Sequence, residues 1–472
     1  MITILFGAFV LLAMTVAFVD WRQAWLLAVL VGVLQDPARK LTSGAPVVLT
    51  MSIVAVYGMI LLATFGRQRV EIAAFSRRFG RIWISFGAFF VFLLLAAFNG
   101  LMTFGLALYK APLFSLFLYL APLPAVMVGF MYLDREELLF RFFRFYSVVT
   151  SLALIGSLLE YLRVDWSALG LVSATGDYIR HIPGVQIRMI SGFYRAPDIM
   201  GWHAATLTCI AIAMVVRDGI TPRAWRWIVT AGWGFFNCMI SGRRKAIYMI
   251  AVFAVVLLWR YFRRLKTAQV VGFAMVGLVL ALVVHDLSSN ARSSAYAIGA
   301  ATTREEVSAR LEGGMLLTIE QFGILGAGLG TATQGVYHVL RDNNAAVNPY
   351  DAASQNAPSG WQEAGLGKLT IELGVPGLIA AALLLFTALR TMLRITAYPD
   401  LPQTSQLGRV TLFALIVANI ANFMASAQAY SDPVLTLITC FLVGCLFATA
   451  RLDEVEPAKT AGAAASFVPA SA

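Results

Sequence analysis

Apolar runs long enough to cross a lipid bilayer as helix constrain this chain more than any other feature. They lie near residues 3–19, 23–34, 46–65, 82–98, 111–132, 146–163, 198–216, 226–240, 246–260, 268–285, 365–390, 409–427 and 433–450. A helix rises about 1.5 Å per residue, so roughly 20 residues cross a hydrocarbon layer of about 30 Å. Inside that layer every backbone N–H and C=O needs a partner within the protein, which leaves helices or a closed barrel. Barrel strands would alternate polar and apolar positions in short segments, whereas these runs are continuous. With 59% hydrophobic and 13% charged residues, the chain lies outside the soluble globular range. The expected fold is an all-α polytopic integral membrane protein of about 12–13 transmembrane helices with one large external loop. The run at 23–34 is only 12 residues long and reads as a re-entrant or tilted piece.

The formal net charge of +11 does not point to nucleic acid, because the basic residues sit in short clusters at the ends of the runs. Arg67, Arg69, Arg77, Arg78 and Arg81 form one cluster, and Arg135, Arg141 and Arg144 a second. Arg217, Arg223 and Arg226, then Arg260, Arg263, Arg264 and Lys266, and finally Arg390, Arg394 and Arg409 complete the set. The positive-inside rule places these connections in the cytoplasm. Cys209, Cys238, Cys440 and Cys445 fall within apolar runs with no CxxC spacing, so they read as small buried hydrophobes. Residues 1–19 lack a basic start and an Ala-x-Ala site, and the first run is expected to stay in the protein.

This orientation leaves 164–197, 241–245 and 286–364 outside. The last is the main polar interruption of the chain. It holds a helix start at Thr303 with Glu306 as a capping box, then Arg310, the glycine-rich run Gly323–Gly330, His338 and Arg341, and it ends at Glu363. The chain therefore divides into helices 1–185, helices with arginine-bearing external turns 186–285, the loop 286–364, helices 365–450 and a cytoplasmic tail 451–472. The Ala- and Ser-rich end of that tail is expected to be disordered. No internal repeat relates the two halves.

Two external turns carry unexpected charge. Ser241-Gly242-Arg243-Arg244-Lys245 sets three basic residues against the positive-inside bias, which calls for an anion; ordinary phospholipid head groups are the plainer explanation. In Ser191–Asp198, Pro197 and Asp198 begin a helix, with Asp198 as N-cap or first-turn acid. Arg195 is not needed for that start, and a helix N-terminus beside an arginine suits an anion. The plainer alternative is a pair with Asp198 or with lipid. His203 lies about 140° round the helix from Asp198 and reads first as a satisfied interfacial histidine. Lys368 and Glu372, four apart, suit an intrahelical pair. Asn99, Asn237, Asn419 and Asn422 suit interhelical hydrogen bonds.

Taken in order, Gly192–Asp198, Ser241–Lys245 and Arg310–Gly377 resemble the bacterial O-antigen ligase and O-antigen or exopolysaccharide polymerase superfamily. Its members have a Pro-containing turn before one helix and an arginine-bearing Ser-Gly-Arg turn two helices later. A large external loop then ends in a Glu-Leu-Gly helix. Gly326–Gly330 and Glu363–Leu369 are similar to the exopolysaccharide polymerase branch, and the resemblance covers roughly residues 185–380. It implies a C-type glycosyltransferase fold in the bacterial inner membrane, with an active site facing the periplasm. The implied donor is a glycan on undecaprenyl pyrophosphate, with no cofactor or metal. The implied partners are membrane lipid, a chain-length regulator and export proteins.

Under that resemblance Arg195 with Arg243 or Arg244 stabilises the departing pyrophosphate, since a guanidinium fork pairs two oxygens at once. Arg310, Lys245 and His338 are secondary substrate contacts. In the ligases a histidine base stands eleven positions before the glycine of the Glu-Leu-Gly helix. Here that glycine is Gly374 and the position holds Glu363. A carboxylate can also take the acceptor proton, and the exchange points toward polymerisation rather than ligation. The plainer reading of Glu363 is a helix cap or a charge balance for nearby arginines. A transporter or flippase of the same lipids is the alternative, although the charges sit at helix ends rather than at mid-membrane.

Overall fold

The computed structural model describes residues 2–66, 69–170, 179–182, 185–219, 221–261, 265–289, 294–296, 315–316, 318–333, 364–397 and 403–465. Arg310, His338, Glu363 and the Thr303–Glu306 capping box lie outside these described residues.

The chain forms a bundle of apolar helices. In order they are α1 (Ile2–Val19), α2 (Trp21–Lys40), α3 (Ser52–Phe65), α4 (Arg69–Arg78), α5 (Gly80–Phe104), α6 (Lys110–Leu120), α7 (Pro124–Tyr132), α8 (Glu136–Ala153) and α9 (Ile155–Tyr161). A two-stranded antiparallel hairpin, β1 (Ile179–Ile182) and β2 (Val185–Arg188), follows. Then come α10 (Pro197–Asp218), α11 (Pro222–Ile240), α12 (Arg244–Tyr261), α13 (Thr267–Ser289), α14 (Gly365–Ile395), α15 (Gln403–Ala425) and α16 (Pro433–Ala465). Ten helical stretches among the described residues are long and apolar enough to cross a membrane. The protein is thus a multi-pass, essentially all-α membrane protein, and the hairpin is a small addition to the expected fold.

Local chemistry sets the helix starts. Asp20 caps α2 by accepting the N–H groups of Arg22 and Gln23 (3.0 and 3.1 Å), and Thr221 caps α11 with Pro222 behind it. Asp432 accepts the N–H of Val434 (2.6 Å) at the start of α16. The run at 23–34 belongs to a longer helix, since α2 has 20 residues, but α2 is not one of the ten apolar stretches. Its last turns carry Asp36, Arg39 and Lys40, which break the apolar pattern but are buried or half-buried against other helices. α16 continues past Arg451 to Ala465.

Helix ends sort into two groups. At one end Arg451 pairs with Glu71 and donates to the Leu133 carbonyl (3.2 Å). There Arg78 donates to Ala450 O (2.8 Å), Arg260 to Thr396 Oγ1 (2.9 Å), Arg409 to Thr449 O (2.9 Å), and Arg22 pairs with Asp134 (2.7 Å). This is the arginine-rich end. The other end joins the end of α2, the turn before α10, the α11–α12 turn and the start of α16. Because α2 starts near Asp134 and finishes near Gly192, it connects the two ends like its neighbours. α10 forms the centre and is buried over almost its whole length.

The glycine-rich run is more than a turn. It threads between α5 and α14, where α14 is broken at Gly374 (φ 66°, ψ −178°) next to Pro376. A continuous helix would bond the Val375 N–H to the Ile371 carbonyl. Instead Val375 donates to Ile324 O and Ala327 donates to Ile371 O, both at 2.8 Å. Leu329 N–H donates to Ala96 O of α5 (3.0 Å), while Asn99 and Thr103 donate to the carbonyls of Gly326 and Ala327 (2.9 and 2.6 Å). Non-helical backbone persists at this depth because its polar groups are bonded within the protein. Glycine is required by the close approach: a Cβ on Gly326, at φ 68°, would sit 2.5 Å from Ile371 O.

Candidate functional site

The end opposite the arginine-rich one holds a charged cluster built on the turn before α10. Gly192 has φ 58°, and a Cβ there would lie 2.5 Å from Ser157 N, so only glycine fits. Glu160 of α9 accepts the N–H groups of Ser191 and Gly192 (3.1 and 2.6 Å). Lys40 of α2 donates to the carbonyls of Gly192 and Tyr194 (2.7 and 2.6 Å). Asp36 accepts the Arg195 N–H (3.0 Å). Side chains from two other helices therefore satisfy the backbone of this turn.

The Arg195 guanidinium lies between two carboxylates, Asp36 (3.2 Å) and Asp432 (2.6 Å), whose side chains are 3% and 1% exposed. Burial alone would lower the Arg195 pKa, but the Asp432 and Asp36 charges outweigh it and hold it above the ordinary arginine value. Burial pushes the Asp432 carboxyl upward, with Arg195 opposing and Asp36 adding to the rise.

Three residues along, Asp198 in the first turn of α10 faces the opposite arrangement. Its carboxylate pairs with Arg243 (2.6 Å) and with Lys245. Lys245 also donates to Ser426 Oγ at the end of α15 (2.5 Å). Gly242, at φ 68°, turns the chain from α11 directly into α12, and the Ser241 hydroxyl accepts the Arg243 N–H (3.2 Å). Arg195 and Asp198 together tie the start of α10 to α2, α12 and α16. The carboxylates fix where the cations point, and Arg243 Nε is buried with no hydrogen-bond partner among the described residues. Such a donor is costly unless something accepts from it.

A second polar centre lies where the glycine run ends. Glu372, fully buried on α14, accepts the N–H groups of Gly330 (3.3 Å) and Ala332 (3.2 Å) and the hydroxyls of Tyr119 (2.7 Å) and Thr333. Lys368 stands at 4.0 Å, so the i,i+4 pair forms as part of a larger network.

The structure thus brings Arg195, Arg243 and Lys245 to one end of the bundle, with Arg244 half-buried as the first residue of α12. Arg195 pairs with Asp36 and Asp432 rather than with Asp198. His203 is a satisfied core histidine: Nδ1 bonds the Tyr146 hydroxyl (2.8 Å) and the ring stacks on Tyr194. Asn99 donates across helices as described above. Asn419 accepts from Trp202 Nε1 (2.7 Å), Asn422 donates to Tyr430 (3.3 Å) and Asn237 accepts from Ser157. The four cysteines are free, and three are buried. Asp36, Lys40, Glu160 and Asp432 are the participants that sequence reasoning missed. Asp36 carried a signal, an acid beside Arg39 and Lys40 at the edge of an apolar run, where ionisable residues need partners.

Fold and cluster define a multi-pass helical membrane protein with a cluster of paired charged side chains at one end. No family model matches the sequence, and no curated protein matches it either.

Proposed function

We propose that this protein is a bacterial inner-membrane glycosyltransferase that polymerises oligosaccharide units carried on undecaprenyl pyrophosphate, on the outer face of the membrane. One observation carries the reading: Arg195, Arg243 and Lys245, from segments distant in sequence, meet beside Arg244 at the end away from the arginine-rich connections. By the positive-inside rule that end faces outward. The carboxylates preorganise them, and preorganised donors stabilise developing charge without reorganising as the reaction proceeds.

In this reaction the acceptor hydroxyl oxygen bonds to the anomeric carbon of the donor sugar. The anomeric C–O bond to phosphate breaks, and its electron pair leaves on the lipid pyrophosphate. Arg195 and Arg243, including the Arg243 Nε that has no partner among the described residues, bind that leaving group, with Arg244 and Lys245 adding positive potential. Glu363 takes the acceptor proton, and Arg310 and His338 contact the sugars from the same loop.

A transporter reading draws on the break in α14, since broken helices often line substrate sites in transporters. The backbone groups freed at Ile371 and Val375 are, however, already bonded to Ala327 and Ile324. That occupancy favours the enzyme. The test is deletion of the gene followed by analysis of lipid-linked intermediates. Single units accumulating on the outer leaflet support polymerisation, and units trapped on the cytoplasmic leaflet refute it in favour of a flippase.

A further inference from the structure

The arginine-rich end contains a groove that the proposed reaction does not use. It lies between the α4–α5 junction and the last turns of α14, in two adjoining hollows of about 250 and 620 Å³. Arg81 and Arg394 line both hollows, with Arg390 and Thr391 beside them and Arg77 and Arg78 at the rim. Several basic side chains at this end are already engaged: Arg22 by Asp134, Arg451 by Glu71, and Arg409, Arg260 and Arg77 by carbonyls. Among the described residues, by contrast, no carboxylate pairs with Arg77, Arg81, Arg390 or Arg394. Arg390 and Arg394 stand four apart on one helix, as do Arg77 and Arg81 along the chain. Like charges at that helical spacing repel, so the groove is unfavourable while empty and favourable with an anion in it.

The groove also has a direction. Below the arginines, Ser85 and Thr387 share a hydrogen bond (3.1 Å). Beyond them Ile84, Phe386, Leu383 and Ile379 form an exposed apolar lane toward the middle of the bilayer. On α14 the lane runs at positions 379, 383 and 386, a single helix face. A free anion would satisfy the arginines but not the lane, and a zwitterionic lipid would satisfy the lane but bring its own cation to the arginines.

We infer that this groove is a binding site for one anionic phospholipid of the cytoplasmic leaflet, its phosphodiester held by Arg81, Arg390 and Arg394 and an acyl chain laid along the α5–α14 lane. This proposal does not depend on the glycosyltransferase reading.

The experiment uses the full chain in phosphatidylcholine nanodiscs, with lipid bound after detergent exchange counted by native mass spectrometry. Doping with phosphatidylglycerol should give preferential retention of one anionic lipid. Arg81→Gln/Arg390→Gln/Arg394→Gln should weaken that retention on the order of 100-fold, since each basic group near an anionic surface contributes about fivefold. A control with the same charge loss at the same end, Arg141→Gln/Arg223→Gln/Arg226→Gln, should retain the lipid. If the groove variant does not fold, the single Arg390→Gln change is read instead, for a loss of about fivefold. Equal weakening by the control, or equal retention of both lipids, overturns the proposal. Competition by millimolar inorganic phosphate also overturns it, because the site would then bind a free anion and not a lipid.

Discussion

Replacing Arg195 by Gln and Asp432 by Asn, singly and together, tests whether the charged cluster is a cooperative brace. Arg195→Gln leaves Asp432 buried and charged, its carboxylate still bonded to the Val434 N–H at 2.6 Å. Asp36 keeps the backbone N–H of residue 195 at 3.0 Å. Breaking a buried ion pair usually costs about 3–5 kcal/mol, and these remaining backbone bonds put the loss near the lower figure, about 3 kcal/mol. Asp432→Asn should cost less, about 2 kcal/mol, because Arg195 retains Asp36 at 3.2 Å. The double variant removes both charges, so its loss should fall short of the sum by about 0.5–3 kcal/mol, the range for groups in one ion-pair network. The assay is equilibrium unfolding in mixed micelles followed by Trp fluorescence, with helical content checked by circular dichroism. Single losses that add to within about 0.5 kcal/mol would show that the two groups do not interact and would refute the brace.

The same geometry gives three further expectations. Gly328→Ala should destabilise by about 2–5 kcal/mol, because its Cβ would strike the backbone of Gly100 at φ 90°; Gly323→Ala, with open space around it, should cost about 1–2 kcal/mol, and equal melting temperatures for the two would contradict the threaded packing. With cysteines introduced singly, Ser43→Cys just after α2 should react with an impermeant thiol reagent from outside and Arg223→Cys should not; the reverse pattern would invert the orientation and move the site to the cytoplasm. Glu363→Gln should lower transfer by about 10²- to 10⁴-fold while donor binding persists, and activity within a few-fold of the parent would place the base elsewhere, with His338 next to be substituted.

The transmembrane architecture was legible because hydrocarbon permits few solutions, so length and apolar continuity decide most spans. α2 was truncated for the same reason: Asp36, Arg39 and Lys40 end the apolar pattern, and only tertiary pairing makes their burial acceptable. Arg195, Arg243 and Lys245 stood out because they oppose the charge bias of the connections. Their partners did not. Asp36 and Asp198 lie on α2 and α10 and Asp432 just before α16, and no local spacing links an acid at the end of α2 to one at the start of α16. The glycine run stands out in the external loop by composition, but its exchange of backbone bonds with α5 and α14 is a long-range event without periodic signature. Glu372 was assigned to Lys368 by spacing alone, whereas its closer partners come from Tyr119 and residues 330–333.

Whether the end that holds Arg195 and Arg243 catalyses glycosyl transfer from a lipid pyrophosphate is read out by reconstitution. The purified full chain is placed in liposomes with undecaprenyl-pyrophosphate-linked repeat units, and products are separated by length while released lipid pyrophosphate is counted. The account predicts a ladder of longer glycans, one lipid pyrophosphate released per bond formed, and a rate lowered on the order of 10²-fold or more by Arg195→Ala. Movement of intact single units between leaflets with no new glycosidic bond, unaffected by Arg195→Ala, would contradict it.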